Sequence, residues 1–358
     1  MNNATYIGGT EARLHPNQSF LKWRFVQVSL LVVGIAIFLS LIFLPETGLN
    51  LLWNLLIPVA PLLFVIAVGV WRNICPLGTF SLLPHHFKFS KKKRLKVKWQ
   101  GWFSLAGVLL LFIIVPFRHL VFDSNGPATA IFLAFAAIAA FIAGSTFQWK
   151  SGWCSGICPV HPVEKLYAEK VKFTPPNAHC SQCANCVIPC PDSSPPTKRV
   201  KAAKSRLHRT ALCLLTGSLL GFIWGWFHVP DQAGAISWGD VLTAFAWSWG
   251  GALVSLAIFL IGRHFLKKKY HNNWSSLFAA AAVICYYWYR LPALFGFGLF
   301  PNDGVLVDLT ASLPAWWVGA SQILVVAFFG WWFLFRGRHQ EAEWAVRPPF
   351  AVLRKTRR

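Results

Sequence analysis

Four cysteines carry the strongest chemical signal in this chain, and they are here called the four-cysteine run: Cys180, Cys183, Cys186 and Cys190. They are spaced C-x2-C-x2-C-x3-C, and Pro191 follows directly. Three thiols two residues apart can face into one tight loop, and the fourth is carried away before proline ends the turn. This spacing is typical of iron–sulfur ligands, whereas structural zinc sites more often have two separated C-x2-C pairs. The run therefore predicts an iron–sulfur site, with zinc as the alternative.

A short internal repeat adds three more cysteines, here called the repeat cysteines: Cys75, Cys154 and Cys158. Residues 71–76 align with residues 154–159 as x-x-x-I-C-P. The first segment follows the second long apolar stretch of the chain, and the second segment follows the fourth. A third C-x3-C-P lies inside the four-cysteine run, whereas the first copy has Trp71 in place of its leading cysteine. The repeat predicts two similar helix pairs whose inner ends meet in a helix bundle.

The spacing leaves the number of clusters open. In one arrangement the four-cysteine run holds a single [4Fe–4S] cluster. In another, Cys190 joins the repeat cysteines, because the fourth cysteine of such a run ligates the other cluster in two-cluster ferredoxins. The rest of the run then needs a further ligand, for which Cys213 is available. The repeat cysteines are alternatively unmetallated thiols, and Cys213 and Cys285 are alternatively small buried hydrophobes.

The surrounding chain has the composition of a membrane protein. Its 358 residues are 55% hydrophobic and only 13% charged, and the mean hydropathy is +0.49. A helix needs about 20 apolar residues to cross the hydrocarbon core. Eight stretches satisfy this, near 25–44, 51–70, 100–117, 129–148, 210–228, 241–262, 274–291 and 314–335. The first lacks a small-residue cleavage site and is interpreted as a retained helix.

The distribution of positive charge predicts the orientation. With the N-terminus inside, all but two of the 34 lysines and arginines fall on inside segments, and the exceptions are Arg118 and Arg290 at outer helix ends. Half of the acidic residues lie outside, namely Glu46, Asp123, Asp231, Asp240, Asp303 and Asp308. The net charge of +22 is therefore a signal of topology and does not indicate a nucleic-acid partner.

The predicted architecture is an all-α integral membrane protein with both termini in the cytoplasm. Residues 1–148 form helices one to four with an inner loop at 72–99, and residues 210–358 form helices five to eight with a basic C-terminal tail. Between them, residues 149–209 form a cytoplasmic, ferredoxin-like cysteine loop that is rich in proline and too small for its own apolar core. Because disulfides are rare in the cytoplasm, its clustered cysteines are predicted to be metal ligands.

The two Cys-Pro segments resemble a known family. W-R-N-I-C-P-L-G at 71–78 and W-C-S-G-I-C-P-V-H-P-V-E-K-L-Y at 153–167, followed by the four-cysteine run, look like the membrane-bound ferredoxin-type [4Fe–4S] proteins. That family includes NapH-like, NosR-like, MauN-like and CcoG-like proteins. The resemblance covers about residues 51–200. The chain departs from the family pattern at three points. Trp71 replaces the first cysteine of the first motif, there is one four-cysteine run where NapH-like members have two, and the large periplasmic domain of NosR-like members is not predicted.

The resemblance implies a multi-pass protein of the bacterial inner membrane that passes electrons between quinol, or a cytoplasmic donor, and a partner oxidoreductase. Such a chain would be the electron-transfer subunit of a quinol dehydrogenase or oxidoreductase complex. The implied cofactors are one or two [4Fe–4S] clusters and a quinone, and the implied partners are membrane lipid and a redox subunit or periplasmic oxidoreductase. The rival hypotheses are a maturation factor that reduces a metal or cofactor during assembly of another enzyme, and a redox sensor.

Two histidines, His119 and His228, are predicted near the outer ends of the third and fifth spans. They could hold a quinone or a b-type haem, but interfacial hydrogen bonding is the simpler interpretation, which disfavours the haem. No C-x-x-C-H, G-x-G-x-x-G or P-loop motif occurs, so c-type haem, NAD and ATP are not predicted. A cluster on the inner face would lie about 30 Å from the outer face, too far for direct electron transfer. The sequence therefore predicts a quinone, a haem relay or a partner subunit to complete the path.

Overall fold

The computed structural model is a bundle of long helices. It describes residues 5–7, 10–12, 18–93, 95–147, 152–168, 206–232, 234–301, 303–314 and 316–336. The α-helices are α1 Gln18–Phe43, α2 Pro45–Leu49, α3 Ile57–Ile74, α4 Pro76–His86, α5 Val97–Phe117, α6 Gly126–Thr146, α7 Val160–Tyr167, α8 Arg206–Phe227, α9 Trp238–Phe265, α10 His271–Ala293 and α11 Trp316–Gly330. A short antiparallel hairpin of β1 Thr5–Ile7 and β2 Thr10–Ala12 precedes them. Apart from this hairpin, the described elements are helical, which confirms the all-α class of the bundle.

Several helices contain or continue into π-helical turns. These turns are Asn50–Leu56, Arg118–Phe122, Trp153–Ile157 and Trp331–Phe335, and a short 3₁₀ turn, Lys268–Tyr270, precedes α10. A π-helical turn rotates the side chains that follow it and is frequent at functional sites. Here the second and third of these turns carry His119 and Cys154, which the sequence singled out as candidate site residues.

Among the described residues, seven helical segments are long and apolar enough to cross a membrane, which indicates a multi-pass membrane protein. The remaining predicted span, 274–291, falls on α10, which has 23 residues but is more polar than the others. It nevertheless runs the length of the bundle. At one end Trp274 donates a hydrogen bond to the Phe259 carbonyl (3.0 Å), and at the other Arg290 donates to the Trp53 carbonyl (2.7 Å). Burial among other helices explains why α10 can carry polar residues.

The core is centred on α8, and its closest neighbour is α9. Gly217, Gly221 and Gly225 recur every four residues along α8, a spacing that predicts a close-packing face for another helix. The structure confirms this prediction, because a Cβ on any of these glycines would meet atoms of α9. The Ser255 hydroxyl of α9 donates to the Gly217 carbonyl at 2.8 Å. Without side chains in the way, the two backbones approach closely, as is common between membrane helices.

Two short helices, α4 and α7, do not span the bundle. Helix α4 packs along α6, and its end is fixed where the His85 Nε2 lies 3.0 Å from the Phe147 carbonyl. Helix α7 packs against α3 and α5, and its Tyr167 is buried in the main core. The end of the bundle near Phe147 is here called the cysteine end. The opposite end, which carries Arg118 and Arg290, is called the arginine end.

Candidate functional site

The four-cysteine run lies outside the described residues, as does most of the segment 149–209. The assignment of Cys180, Cys183, Cys186 and Cys190 as cluster ligands therefore stays a prediction. The repeat cysteines lie within the described residues.

The internal repeat is present in the backbone. Cys75 ends α3 with φ −57° and ψ 120°, and Cys158 ends the π-helical turn Trp153–Ile157 with φ −57° and ψ 122°. The Cys75 amide donates to the Trp71 carbonyl (2.9 Å), and the Cys158 amide donates to the Trp153 carbonyl (3.1 Å). In each copy proline follows the cysteine and a short helix begins. The predicted similarity of the two Cys-Pro segments is thus confirmed as a shared local structure.

Two of the repeat cysteines, Cys75 and Cys154, border Gly78 in the first turn of α4. The position that a Cβ would take on Gly78 lies 3.4 Å from the Cys154 sulfur and 3.9 Å from the Cys75 sulfur. Cys158 lies close enough to Cys75 for the two groups to interact electrostatically. The missing side chain of Gly78 therefore leaves a small space that sulfur atoms from two distant chain segments border.

These cysteines lie deeper in the bundle than the sequence predicted. Pro76 packs on Gly34, the middle residue of the apolar segment Phe25–Phe43, with its Cβ 3.0 Å from the position of a Cβ on Gly34. The Cys158 carbonyl lies 3.1 Å from the corresponding position on Gly107. Gly107 is nine residues beyond Lys98, or about 13 Å into that span at 1.5 Å per residue.

Both Cys-Pro segments thus reach the level of the middle of the spans instead of standing at the inner helix ends. The physical reason differs between the two copies. Helix α4 continues the crossing that α3 begins, whereas the segment Trp153–Ile157 and α7 follow α6 after it has reached the cysteine end. Non-helical backbone is tolerated at this depth only where protein surrounds it. The absent side chain of Gly107 allows this by letting α5 approach the carbonyls of Ile157 and Cys158.

Polar groups around Cys158 come from the first turn of α7. The His161 amide donates to the Cys158 carbonyl at 3.3 Å, so the first turn of α7 lies directly against this cysteine. The His161 Nδ1 lies 3.5 Å from the Glu164 Oε2, and both side chains are buried. The structure thus places His161 close in the chain and in space to a candidate ligand.

The repeat cysteines offer three thiol sulfurs. The five described cysteines form no disulfide with one another. Within the described part of the chain, no three potential ligands surround one point at single-ion distances. Soft thiolate sulfurs suit iron–sulfur clusters and zinc alike, and either group would need a fourth ligand from another residue.

Cys213 has a different partner. Its sulfur lies 3.7 Å from the Arg263 Nη1 on α9, a distance compatible with a weak hydrogen bond. The arrangement in which Cys213 serves the four-cysteine run stays a prediction, because the run lies outside the described residues.

A second polar site, at the arginine end, was not predicted as a unit. It is here called the arginine-end cluster, and it comprises Arg118, His119, Asp123, Asp231, Arg290 and Asp303. The Arg118 Nε donates to the Asp123 Oδ1 at 2.9 Å, and the Asp231 amide donates to the Asp303 Oδ2 at 2.9 Å. Arg118, His119 and Arg290 are each no more than 5% exposed. One feature of the sequence pointed to this site: Arg118 and Arg290 are the two basic residues predicted to lie on the outer side.

Both candidate histidines have hydrogen-bond partners in the structure. The His119 Nδ1 contacts the Asp231 carboxylate and its Nε2 lies 2.9 Å from the Trp226 carbonyl, so neither nitrogen could bind haem iron without losing a partner. The His228 Nδ1 lies 2.7 Å from the Trp224 carbonyl. The geometry therefore offers no support for a haem held by this pair.

Comparisons with family models, with curated proteins and with solved structures found no match for this chain. The resemblance to membrane-bound ferredoxin-type proteins consequently rests on the cysteine motifs alone and stays a prediction.

Proposed function

We propose that this chain is a membrane-bound iron–sulfur electron-transfer protein that passes electrons between quinol, or a cytoplasmic donor, and a partner oxidoreductase. The observation that carries the proposal is the approach of Cys75 and Cys154 to each other across Gly78, with Cys158 near Cys75. A bound [4Fe–4S] group would supply one-electron transfer. The chain would contribute the thiolate ligands and their position within the bundle.

The charge distribution supports placing the cysteine end in the cytoplasm of a bacterial inner membrane. Lysines at 91–93 lie at this end, where the amides of Lys91 and Lys93 donate to the carbonyls of Ser145 and Thr146. Cytoplasmic loops of membrane proteins carry an excess of positive charge. The four-cysteine run would then lie on the same side.

The depth of the repeat cysteines supports an electron path shorter than the full membrane. From Gly107, which packs on Cys158, to Arg118 there are 11 residues, or about 16 Å along α5. The sequence alone placed the inner site about 30 Å from the outer face. A redox group at the repeat cysteines would therefore need no haem relay through the whole hydrocarbon core.

The test is the content of iron and acid-labile sulfide per chain in protein purified anaerobically. Two clusters give about eight of each, and a single cluster on the four-cysteine run gives about four. If the repeat cysteines hold a cluster, the double variant Cys75→Ser, Cys158→Ser loses about half of the iron. Cys285→Ser on α10 is the control and keeps its iron. Zinc without iron in the wild type would contradict the proposal.

Reduction separates electron transfer from the rival roles. An electron-transfer chain is expected to show reduction of its iron–sulfur chromophore by a quinol analogue within seconds, and to co-purify with an oxidoreductase. A chromophore that quinol does not reduce favours a sensor. Transient association with an unfinished enzyme favours a maturation factor.

A further inference from the structure

The arginine-end cluster contains an imbalance of charge. The groups that face one another there are Arg118, His119 and Asp123 from the end of α5, Asp231 from the loop after α8, Tyr286 and Arg290 from α10, and Asp303 from the loop after α10. Two arginines oppose three aspartates, so one additional proton makes the cluster neutral. Unbalanced charges are costly to bury.

The geometry shows where that proton is held. The His119 Nε2 lies 2.9 Å from the Trp226 carbonyl, which only accepts, so this nitrogen carries a hydrogen and donates it. The contact between the His119 Nδ1 and the Asp231 carboxyl then requires one more proton between these two groups. Asp123 already accepts from the Arg118 Nε, whereas Asp231 also contacts the His119 imidazole. The proton therefore belongs to Asp231, with His119 as its neighbour.

A small cavity reaches this group of side chains. It has a volume of about 30 Å³ and is lined by Arg118, His119, Asp231, Arg290 and Asp303 together with apolar residues. A water molecule needs at least roughly 10–15 Å³ measured in this way, so the cavity holds one or two waters and is too small for a quinone ring. Leu299, which is 54% exposed, forms part of its wall, so the cavity lies next to the surface.

Two buried donors strengthen the case for water in the cavity. Arg290 is 2% exposed, and its Nε has no hydrogen-bond partner within the described residues. The buried hydroxyl of Tyr286, near both arginines, likewise has none there. A buried donor left unsatisfied costs about 1–3 kcal/mol. An ordered water accepting from Arg290 would remove that cost and connect the carboxyl pair to bulk solvent.

The electrostatics of the loop carboxyls agree with this assignment. Burial, followed by the proximity and negative charge of Asp123, raises the pKa of Asp231 to about 9. Burial also opposes ionisation of Asp123, but the adjacent Arg118 guanidinium overrides it and lowers the pKa of Asp123. Environments that push two neighbouring carboxyls apart are typical of functional acid–base sites.

We propose that the arginine-end cluster is a proton-binding site, in which Asp231 carries a proton between Asp123 and His119 and exchanges it with outside water through the cavity. Binding of this proton does not depend on an iron–sulfur group. Only its use rests on the proposed function: quinol oxidation releases two protons with its two electrons, and this site is a place at which a proton could leave on the side opposite the cysteines.

The experiment is infrared spectroscopy of the full-length protein as a function of pH, which distinguishes a carboxylic acid from a carboxylate. We expect a protonated carboxyl signal at pH 7 that shifts in D2O and disappears near pH 9. Asp231→Asn removes this signal. Asp308→Asn is the matched control, because Asp308 is an exposed carboxylate of the same outer region that is hydrogen-bonded to Thr310.

A second variant keeps the test decisive if Asp231→Asn does not fold. Asp123→Asn removes the negative charge next to Asp231, so the Arg118 guanidinium then stabilises the ionised form of Asp231. The carboxylic-acid signal should therefore disappear at a pH about one unit or more below that of the wild type. Absence of a protonated carboxyl at pH 7 in the wild type would overturn the proposal. So would a signal displaced by a quinone analogue, which would indicate a quinone site. Because neither result depends on iron, failure here is separable from failure of the iron–sulfur proposal.

Discussion

At the scale of single residues, the chain buries two arginines by surrounding each with specific partners. The Arg118 guanidinium lies 5.0 Å from the ring centroids of both Trp53 and Trp226, and it is paired with Asp123. Cation–π contacts gain strength when water is excluded. The sequence identified both arginines as exceptions to the charge rule. It did not predict that they lie in one cluster, because Arg118 and Arg290, and the Trp53 and Trp226 rings beside Arg118, come from distant parts of the chain.

Gly304 provides the test of this packing. It adopts φ +70°, and a Cβ there would collide with the Arg290 Nη1. We expect Gly304→Ala to destabilise the protein by about 1–3 kcal/mol, because left-handed backbone strain and the displacement of Arg290 add together. Thermal unfolding in detergent measures the change. Gly234→Ala is the control, since nothing lies within 4 Å of its Cβ position, and an equal loss in both variants would refute the explanation.

At the scale of elements, the sequence predicted the Cys-Pro repeat and the packing face of α8, but not their depth or partners. Residues of α4 are clearly less apolar than those of α3, so hydropathy predicted that Cys75 ends a crossing, whereas α4 continues from it along α6. The four-residue spacing of glycines predicted a helix contact. It could not identify α9 as the neighbour, because a pattern on one helix does not specify the other.

The contact between α8 and α9 can be tested at Gly221. A methyl group on this residue would overlap the backbone of Gly251, so the helices would have to separate. We expect Gly221→Ala to lower stability by about 1–3 kcal/mol, the usual cost of overpacking. Gly250→Ala, beside Gly251 on α9 but with no atom within 4 Å, should unfold within error of the wild type. Comparable melting of the two variants would mean that the helices are not in close contact.

At the scale of the whole molecule, hydropathy and charge predicted most of the architecture. Seven of the eight spans coincide with apolar helices, and the eighth coincides with α10. These features could be predicted because lipid imposes length and apolarity on each helix separately. The convergence of the three repeat cysteines could not, because it depends on how separate helices pack. The four-cysteine run is still known from its sequence alone.

The orientation of the molecule can be tested by labelling intact cells with a membrane-impermeant maleimide. Gly234→Cys lies in an exposed loop at the arginine end, and Lys269→Cys lies in an exposed turn between α9 and α10. We expect labelling above the wild-type background for Gly234→Cys in intact spheroplasts, and for Lys269→Cys only after lysis. The reverse pattern would place the cysteine end outside and would contradict the charge rule.

The depth of the repeat cysteines also constrains how the protein is made. Cys75 is synthesised some eighty residues before Cys154 and Cys158, and all three end up among helices that enter the membrane at different times. Under the proposed function, iron could not reach this place through lipid. Loading would therefore occur from the cysteine end, either while the bundle is still open or through a local separation of α4 and α7 from their neighbours. Expression faster than the supply of iron and sulfide should accumulate folded chains that later addition of metal rescues slowly.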